Sequence, residues 1–301
     1  MDDLHFREID LNSEPEIAKK FVGIVESELG GIRQLSTIKR SLDYDAGNAK
    51  VIGGFLAGEL VSITAFMLME FFLGNQTCRG YQAGFCASSK LHRGKGIWPR
   101  LIKFSEGYLS DLGASFIFGF PNEIAHPVWV KKLGYQSTEL YSFRIFPLSI
   151  LDRFNYNING IENHVAHSET ILEPNSAFNI SWKKRSLGGG NLVTFTFGES
   201  VVWGVIRSRQ RYSIKWDSFE VGGLSLGSAS DLPKLLHVAT KAVNAKCYYI
   251  SLNRDNVYFP IFKFRKNTYH TPVIIKSLTS LFVPQKLKLN FFSGLSDVWL
   301  S

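Results

Sequence analysis

A chain of 301 residues with 45% hydrophobic residues holds enough apolar material for two domains of ordinary size. It contains no run of about 18 apolar residues, which excludes a helical membrane span. The formal net charge of +8 suits anionic partners, and the cations are scattered, with no run longer than Lys183-Lys184-Arg185, which favours phosphorylated small ligands over a nucleic-acid track.

Three cysteines, Cys78, Cys86 and Cys247, sit in strand-like text without metal-ligand spacing. Free thiols in a reducing compartment and no metal site are expected. The first residues, Met1-Asp2-Asp3-Leu4-His5, lack the basic and apolar regions of a secretory leader. A cytoplasmic protein is the expectation.

In chain order, residues 6–11 read as a strand and 15–29 as a helix, with Ser13 placed to cap it and Gly30-Gly31 to stop it. Residues 32–42 form a second, more polar helix. Residues 50–56 and 60–73 form a hairpin about Ala57-Gly58-Glu59. Gly74-Asn75-Gln76 turns the chain into an apolar strand over 79–87. Next comes Ser88-Ser89-Lys90-Leu91-His92-Arg93-Gly94-Lys95-Gly96-Ile97-Trp98, then a helix with Ile97, Leu101, Phe104, Tyr108 and Leu112 at helical spacing. Strand, glycine-punctuated basic loop and helix together build an anion site. Gly94 and Gly96 let successive N–H groups converge, the helix start adds unpaired N–H groups and the positive end of its dipole, and Arg93 and Lys95 add charge. A phosphate or pyrophosphate is the natural guest; the ordinary alternative is a solvated basic turn. A second apolar strand, 115–120, is closed by Pro121-Asn122. A short helical segment over 126–133 ends at Gly134-Tyr135, and 135–146 supplies a last strand.

Residues 147–180 lose apolar periodicity and cluster Asn155, Asn157, Asn159, Gly160 and Asn163, as a linker does. Residues 183–190 read as a basic, glycine-rich turn. The order of elements then repeats: a hairpin over 191–207, a strand over 211–222, a helix over 232–244 opened by Ser230-Asp231 with Pro233 in its first turn, and a strand over 247–252 closed by Asn253. Residues 258–263 stand where 126–131 stood, and 272–276 and 286–292 supply final strands. The counterpart of the basic loop, Gly222-Gly223-Leu224-Ser225-Leu226-Gly227-Ser228, has glycines but no cation.

Arg93-Gly94-Lys95-Gly96-Ile97, Gly119-Phe120-Pro121-Asn122 and Lys131-Lys132-Leu133-Gly134-Tyr135 together resemble the motifs of the GNAT acyltransferase superfamily, over roughly residues 50–146. The wording Phe118-Gly119-Phe120-Pro121-Asn122 is like that of GNAT proteins from bacterial surface-polysaccharide gene sets. The fold expected is α/β: tandem GNAT-like domains, each a twisted mixed sheet flanked by helices, with the acyl-CoA site in 1–150, a linker over 151–190, and a degenerate partner in 191–301 that closes the acceptor cleft.

The resemblance implies acyl-CoA as cosubstrate, held by Cys86, Ala87, Ser88, Arg93, Gly94, Lys95, Gly96, Ile97, Trp98 and Asn122. Its pantetheine arm would pair beside Phe85-Cys86-Ala87-Ser88, where the N–H of Cys86 or Ser88 faces the thioester carbonyl. Trp98, bulkier than the usual residue there, is expected to pack through its side chain while its backbone N–H binds phosphate. Asn122 is either a groove residue or an N-cap. The chain departs from the family pattern at the usual base and acid positions, which fall on Gln82 and Val130. Glu70, Glu123 and His126 are the remaining catalytic candidates. Each has an ordinary alternative: a solvated strand residue, a helix N-terminal charge and a capping residue.

For the acceptor, Lys215, Trp216 and Arg254 offer cations and an aromatic to a nucleotide-linked amino sugar, against the alternative of a charged sheet face with a core Trp. The activity expected is N-acyl transfer from acyl-CoA to such a sugar's amine, an amino-deoxyhexose linked to dTDP being one option. Two rival readings are a Fem-like aminoacyl transferase using aminoacyl-tRNA, which does not need the basic loop, and a non-catalytic acyl-CoA-binding module.

Overall fold

The computed structural model describes residues 3–31, 33–145, 171–186, 192–228, 231–243, 245, 247–256, 258–259, 267–280, 288–289 and 291–292. The architecture is mixed α/β, in two compact units that are not consecutive in the chain. The first comprises Met1–Met69, Cys78–Ser137 and Ile274–Pro284; the second comprises Glu70–Thr77, Thr138–Val273 and Gln285–Ser301.

The first unit opens with strand β1 (Leu4–Glu8) and helices α1 (Pro15–Leu29) and α2 (Leu35–Leu42). Pro15 fits the first turn of α1, where a missing N–H costs nothing. Ala18, Phe21, Ile24 and Val25 form its buried stripe. Glu14, not Ser13, occupies the N-cap position; the Ser13 hydroxyl instead donates to Asp10 Oδ2 at 2.6 Å. Gly30 stops the helix at φ +83°, its N–H on Glu26 O.

Strands β2 (Ala49–Leu56) and β3 (Glu59–Leu73) meet in a two-residue turn with positive φ at both Ala57 and Gly58, the turn whose twist matches a hairpin. Strand β4 (Gln76–Ser88) leads to α3 (Ile97–Asp111), and β5 (Phe116–Gly119) returns parallel to β4. The buried face of α3 is Ile97, Leu101, Ile102, Ser105 and Leu109. The expected stripe is therefore rotated: Phe104 and Leu112 are exposed, and Phe104 lies against Phe6 of β1, ring centroids 5.8 Å apart. Apolar residues on two adjacent faces made the two stripes indistinguishable by spacing.

Strand β6 (Gln136–Ile145) runs antiparallel to a strand of the second unit, with Leu140 opposite Asn253 and Ile145 opposite Tyr248. It was expected to complete the first domain. The place beside β5 is taken instead by the far end of the chain, Ile274–Ser277, with Ile274 opposite Gly119. Phe143 of β6 is buried in the second unit's core, while Ile274 enters the first unit's core with Phe66, Leu101, Ile117 and Trp129. Lys276 Nζ donates to Leu133 O at 2.9 Å and pairs with Glu106; burial pushes its pKa down, with Lys103 adding in the same direction.

The second unit contains β7 (Ile171–Pro174), α4 (Ser176–Ser186), β8 (Leu192–Phe197), β9 (Ser200–Arg211), β10 (Ile214–Ser225), α5 (Asp231–Val243), β11 (Cys247–Asn253), the first half of β12 (Asn267–Ser277), and β13 (Lys288–Leu289). Strand order runs β6-β11-β10-β9-β8. Its core gathers Val202, Phe219, Val221, Leu235, Tyr248 and Ile250. Helix α4 overturns two expectations, since 171–180 is not irregular linker and Lys183–Arg185 is not a turn. Trp182 and Lys183 are fully buried, with Lys183 Nζ 4.0 Å from the Trp182 ring centroid. The linker residues Asn155, Asn157, Asn159, Gly160 and Asn163 lie outside the described residues, as do Ser230 and 260–263. Cys78 and Cys247 are buried, Cys86 is half-buried, and all three are free thiols.

Candidate active site

The parallel pairing of β4 with β5 runs from Gly80–Phe116 to Ala83–Gly119 and stops, yet β4 continues to Ser88. Two local features end it. Phe85 holds φ +49°, a left-handed conformation that a bulky residue adopts only when its surroundings fix it. On the other side Pro121 has no N–H to continue the ladder. Residues 84–88 therefore lie beyond the β4–β5 ladder, whose pairing ends at Ala83–Gly119.

One edge of this stretch is tied to β3. Ser89 N–H donates to Val61 O at 3.0 Å, and Ser62 Oγ donates to Ala87 O at 3.2 Å. Successive peptide groups of a strand point to opposite neighbours. With Ala87 and Ser89 turned toward β3, the N–H groups of Cys86 and Ser88 face the opposite edge. Gln82, aligned with the usual base position, is fully buried within the sheet.

Beyond Ser88, a turn over Lys90–His92 leads to Gly94 at φ +78° and Gly96 at φ +72°. A side chain at either glycine meets nothing within 4 Å, so conformation, not crowding, requires glycine. The loop's own hydrogen bonds stop at Arg93, whose N–H reaches Lys90 O at 3.4 Å. The N–H groups of Gly94, Lys95, Gly96, Ile97 and Trp98 have no acceptor among the described residues. All five lie at or just before the N-terminus of the 15-residue α3, where the helix dipole favours an anion.

Ile97 is buried and anchors the helix start. Trp98 turns its indole into the core: Nε1 donates to Thr64 Oγ1 at 3.1 Å, and the ring stands edge-on to Trp129 at 5.0 Å. Arg93 and Lys95 are exposed. Arg93 pairs with Glu28 of α1, a contact that no sequence pattern announces.

The other candidates are more dispersed. Asn122 Oδ1 accepts from Ala125 N–H at 2.9 Å, and Asn122 O accepts from His126 N–H, so Asn122 caps its own turn. Glu123 is exposed on that turn. His126 is half-buried, with Nε2 2.7 Å from Ser137 Oγ. Glu70 belongs to the second unit, where its carboxylate accepts from Asn175 Nδ2 at 3.0 Å. The three catalytic candidates therefore form no cluster within the first unit.

In the second unit, Lys215 and Trp216 are consecutive on β10 and so point to opposite faces of the sheet; they cannot both touch one ligand. Arg254 lies with its guanidinium 4.9 Å from the Tyr141 ring centroid. Arg207 and Arg209 both pair with Glu220, which neutralises part of the charge read along this hairpin.

The second unit repeats the short parallel ladder but not the anion site. β10 pairs parallel with β11 only from Ser218–Cys247 to Val221–Ile250, with a bulge between Val221 and Gly223. A small cleft lies against Gly222, Gly223, Leu224, Ser225, Trp203 and Tyr258. Here two loop donors are already used: Leu226 N–H donates to Tyr258 Oη at 3.1 Å and Gly227 N–H to Ser200 Oγ at 2.8 Å. Ser200 Oγ in turn donates at 2.7 Å to Asp231, the first residue of α5.

The chain superposes on a set of solved structures. A GCN5-related N-acetyltransferase from Kribbella flavida superposes with a TM-score of 0.63 at 12% identity, over 91% of this chain and 71% of that one. A GCN5-related N-acetyltransferase from Anabaena variabilis gives 0.63 at 11% identity, over 92% and 73%. Eis1 from Mycobacterium abscessus gives 0.58 at 12% identity, over 91% and 73%. The fold is that of the GNAT N-acetyltransferases. No protein-family model matches the chain, and no curated protein matches it in sequence. The GNAT fold spans both units, including the second, which lacks the basic loop. Among the described residues no helix is long and apolar enough to cross a membrane, and no group of His, Cys, Asp and Glu could hold a metal ion.

Proposed function

We propose that the chain is an N-acyltransferase that uses acyl-CoA, with the donor held along 84–98 of the first unit. The observation that carries this reading is the row of five N–H groups, Gly94 to Trp98, that have no acceptor among the described residues; it follows the stretch of β4 that runs past its ladder with β5. A diphosphate seats on the N–H row with Lys95 and Arg93 beside it. The pantetheine amides extend along Cys86, Ala87 and Ser88 as a half-strand, toward Asn122 at the end of β5. The thioester carbonyl then meets the N–H of Cys86 or Ser88.

The reaction is direct. The acceptor's neutral amine attacks the thioester carbon, the carbonyl oxygen becomes an oxyanion held by these fixed donors, the C–S bond breaks, and the CoA thiolate leaves. A thiol pKa of about 8.5 lets the thiolate depart without a dedicated acid. Placing amine and thioester together supplies most of the rate.

For proton removal, the scatter of Glu70, Glu123 and His126 supports transfer from the ammonium through water to bulk solvent. Glu123→Gln and His126→Ala are then expected to lower kcat by less than about fivefold, where loss of a true general base costs 10²-fold or more. The rate should rise with pH as the acceptor's ammonium deprotonates.

The acceptor class we propose is the amine of a nucleotide-linked amino-deoxy sugar, dTDP-linked sugars among them. Support comes from the Phe118–Asn122 wording and the net charge of +8. Arg254 and either Lys215 or Trp216, not both, would serve the nucleotide. The test is release of CoA thiol together with product mass, across nucleotide-linked amino sugars, free amino sugars and aminoacyl-tRNA. Turnover restricted to the first group supports the proposal. Turnover with aminoacyl-tRNA alone favours a Fem-like activity, and CoA binding without turnover a non-catalytic module.

A further inference from the structure

The loop that precedes the N–H row is held by a residue on a different element. Glu28 lies one residue from the end of α1, yet its side chain is only 4% exposed. Its carboxylate collects three donors. Oε1 accepts from Lys90 N–H at 3.2 Å and from Ser27 Oγ at 3.2 Å, and Oε2 accepts from Arg93 Nη2. Arg93 Nε also reaches Ser88 O at 3.4 Å. One guanidinium therefore joins the end of β4 to α1, and one buried carboxylate fixes the segment from Lys90 to Arg93. The open N–H row begins at the next residue, Gly94.

We infer that Glu28 is a positioning residue for the donor diphosphate: it braces the loop so that the row from Gly94 to Trp98 is arranged before the ligand arrives. The inference rests on the reading of this loop as the acyl-CoA site. Glycine-containing loops lose freedom on binding, and a loop already fixed loses less. Simple charge repulsion makes the opposite forecast, since a carboxylate beside a diphosphate site weakens binding and its removal should tighten it. The sign of the effect therefore decides between the two.

The experiment compares Glu28→Gln with the unaltered chain, using acyl-CoA and acyl-pantetheine, which lacks the diphosphate. Glutamine keeps the shape and an acceptor for Lys90 N–H but loses the ion pair. Expected is a five- to tenfold rise in KM for acyl-CoA and in Kd for CoA by calorimetry, roughly the loss of one charge-assisted contact. kcat should stay within about twofold, and acyl-pantetheine kinetics should not change. Arg93→Lys, made at an exposed side chain, keeps the charge but cannot reach both Glu28 and Ser88 O; it should show the same diphosphate-specific loss. An unchanged or lowered KM for acyl-CoA, or an equal loss with acyl-pantetheine, overturns the inference. Absence of CoA binding in the unaltered chain overturns the donor reading instead, and the two failures are told apart by that control.

Discussion

Gly96→Val is expected to raise the Kd for CoA and the KM for acyl-CoA about five- to thirtyfold, while the fold survives. Gly96 sits at φ +72° with open space around it. A β-branched residue does not clash there; it resists the left-handed conformation, at a cost of about 1–2 kcal/mol. That cost converts to the stated range if the loop relaxes to a right-handed turn and the N–H groups of Lys95, Gly96 and Ile97 no longer converge. Calorimetry with CoA reads the binding, and circular dichroism confirms the fold. An unchanged Kd in a folded variant would mean that the loop is a solvated turn and the diphosphate binds elsewhere.

Trp182→Ala should be the most destabilising of the single changes considered, at about 3–5 kcal/mol. Its side chain is fully buried in the second unit, on a helix where sequence reading placed linker and turn. Spread over a unit of this size, the loss lowers the unfolding midpoint of the second unit by roughly 6–20 °C. A shift below about 2 °C would place Trp182 in solvent and return 176–186 to the linker. Differential scanning calorimetry is the suitable method, because two units need not unfold together.

These two positions mark what was and was not readable. The segment from 79 to 112 was legible because its signals are local: an apolar strand, glycines where left-handed backbone is needed, cations between them and a helical period afterwards. In its secondary structure, the rotation of α3 is what the spacing does not reveal. Helix α4 was hidden because Ser176-Ala177-Phe178-Asn179-Ile180-Ser181-Trp182-Lys183 spreads its apolar residues around the axis and buries a lysine, which defeats a search for one apolar face.

The exchange of β6 and the end of β12 between the units was hidden for another reason. Both segments read correctly as strands, but a strand's text does not say which distant edge it joins. Leu140 and Phe143 suit either core; only three-dimensional pairing puts Phe143 with Val221 and Ile250. Glu28 was missed on the same ground, as its partner Arg93 is 65 residues away. At Lys215-Trp216 the error lay in the reading itself: consecutive strand residues were grouped as one site, although a pleated strand sends them to opposite faces.

The contrast between the two loops carries the account. In the first unit five N–H groups wait at a helix start with two cations nearby. In the second, the loop has no cation, and its Leu226 and Gly227 N–H groups already donate to Tyr258 and to Ser200, which is bonded to Asp231. The most direct measurement is a crystal structure with CoA bound, paired with calorimetric stoichiometry. One CoA per chain, its diphosphate on the N–H groups of Gly94 to Trp98, is the predicted result. Two CoA per chain, or one seated against Gly222 to Ser225, would contradict it.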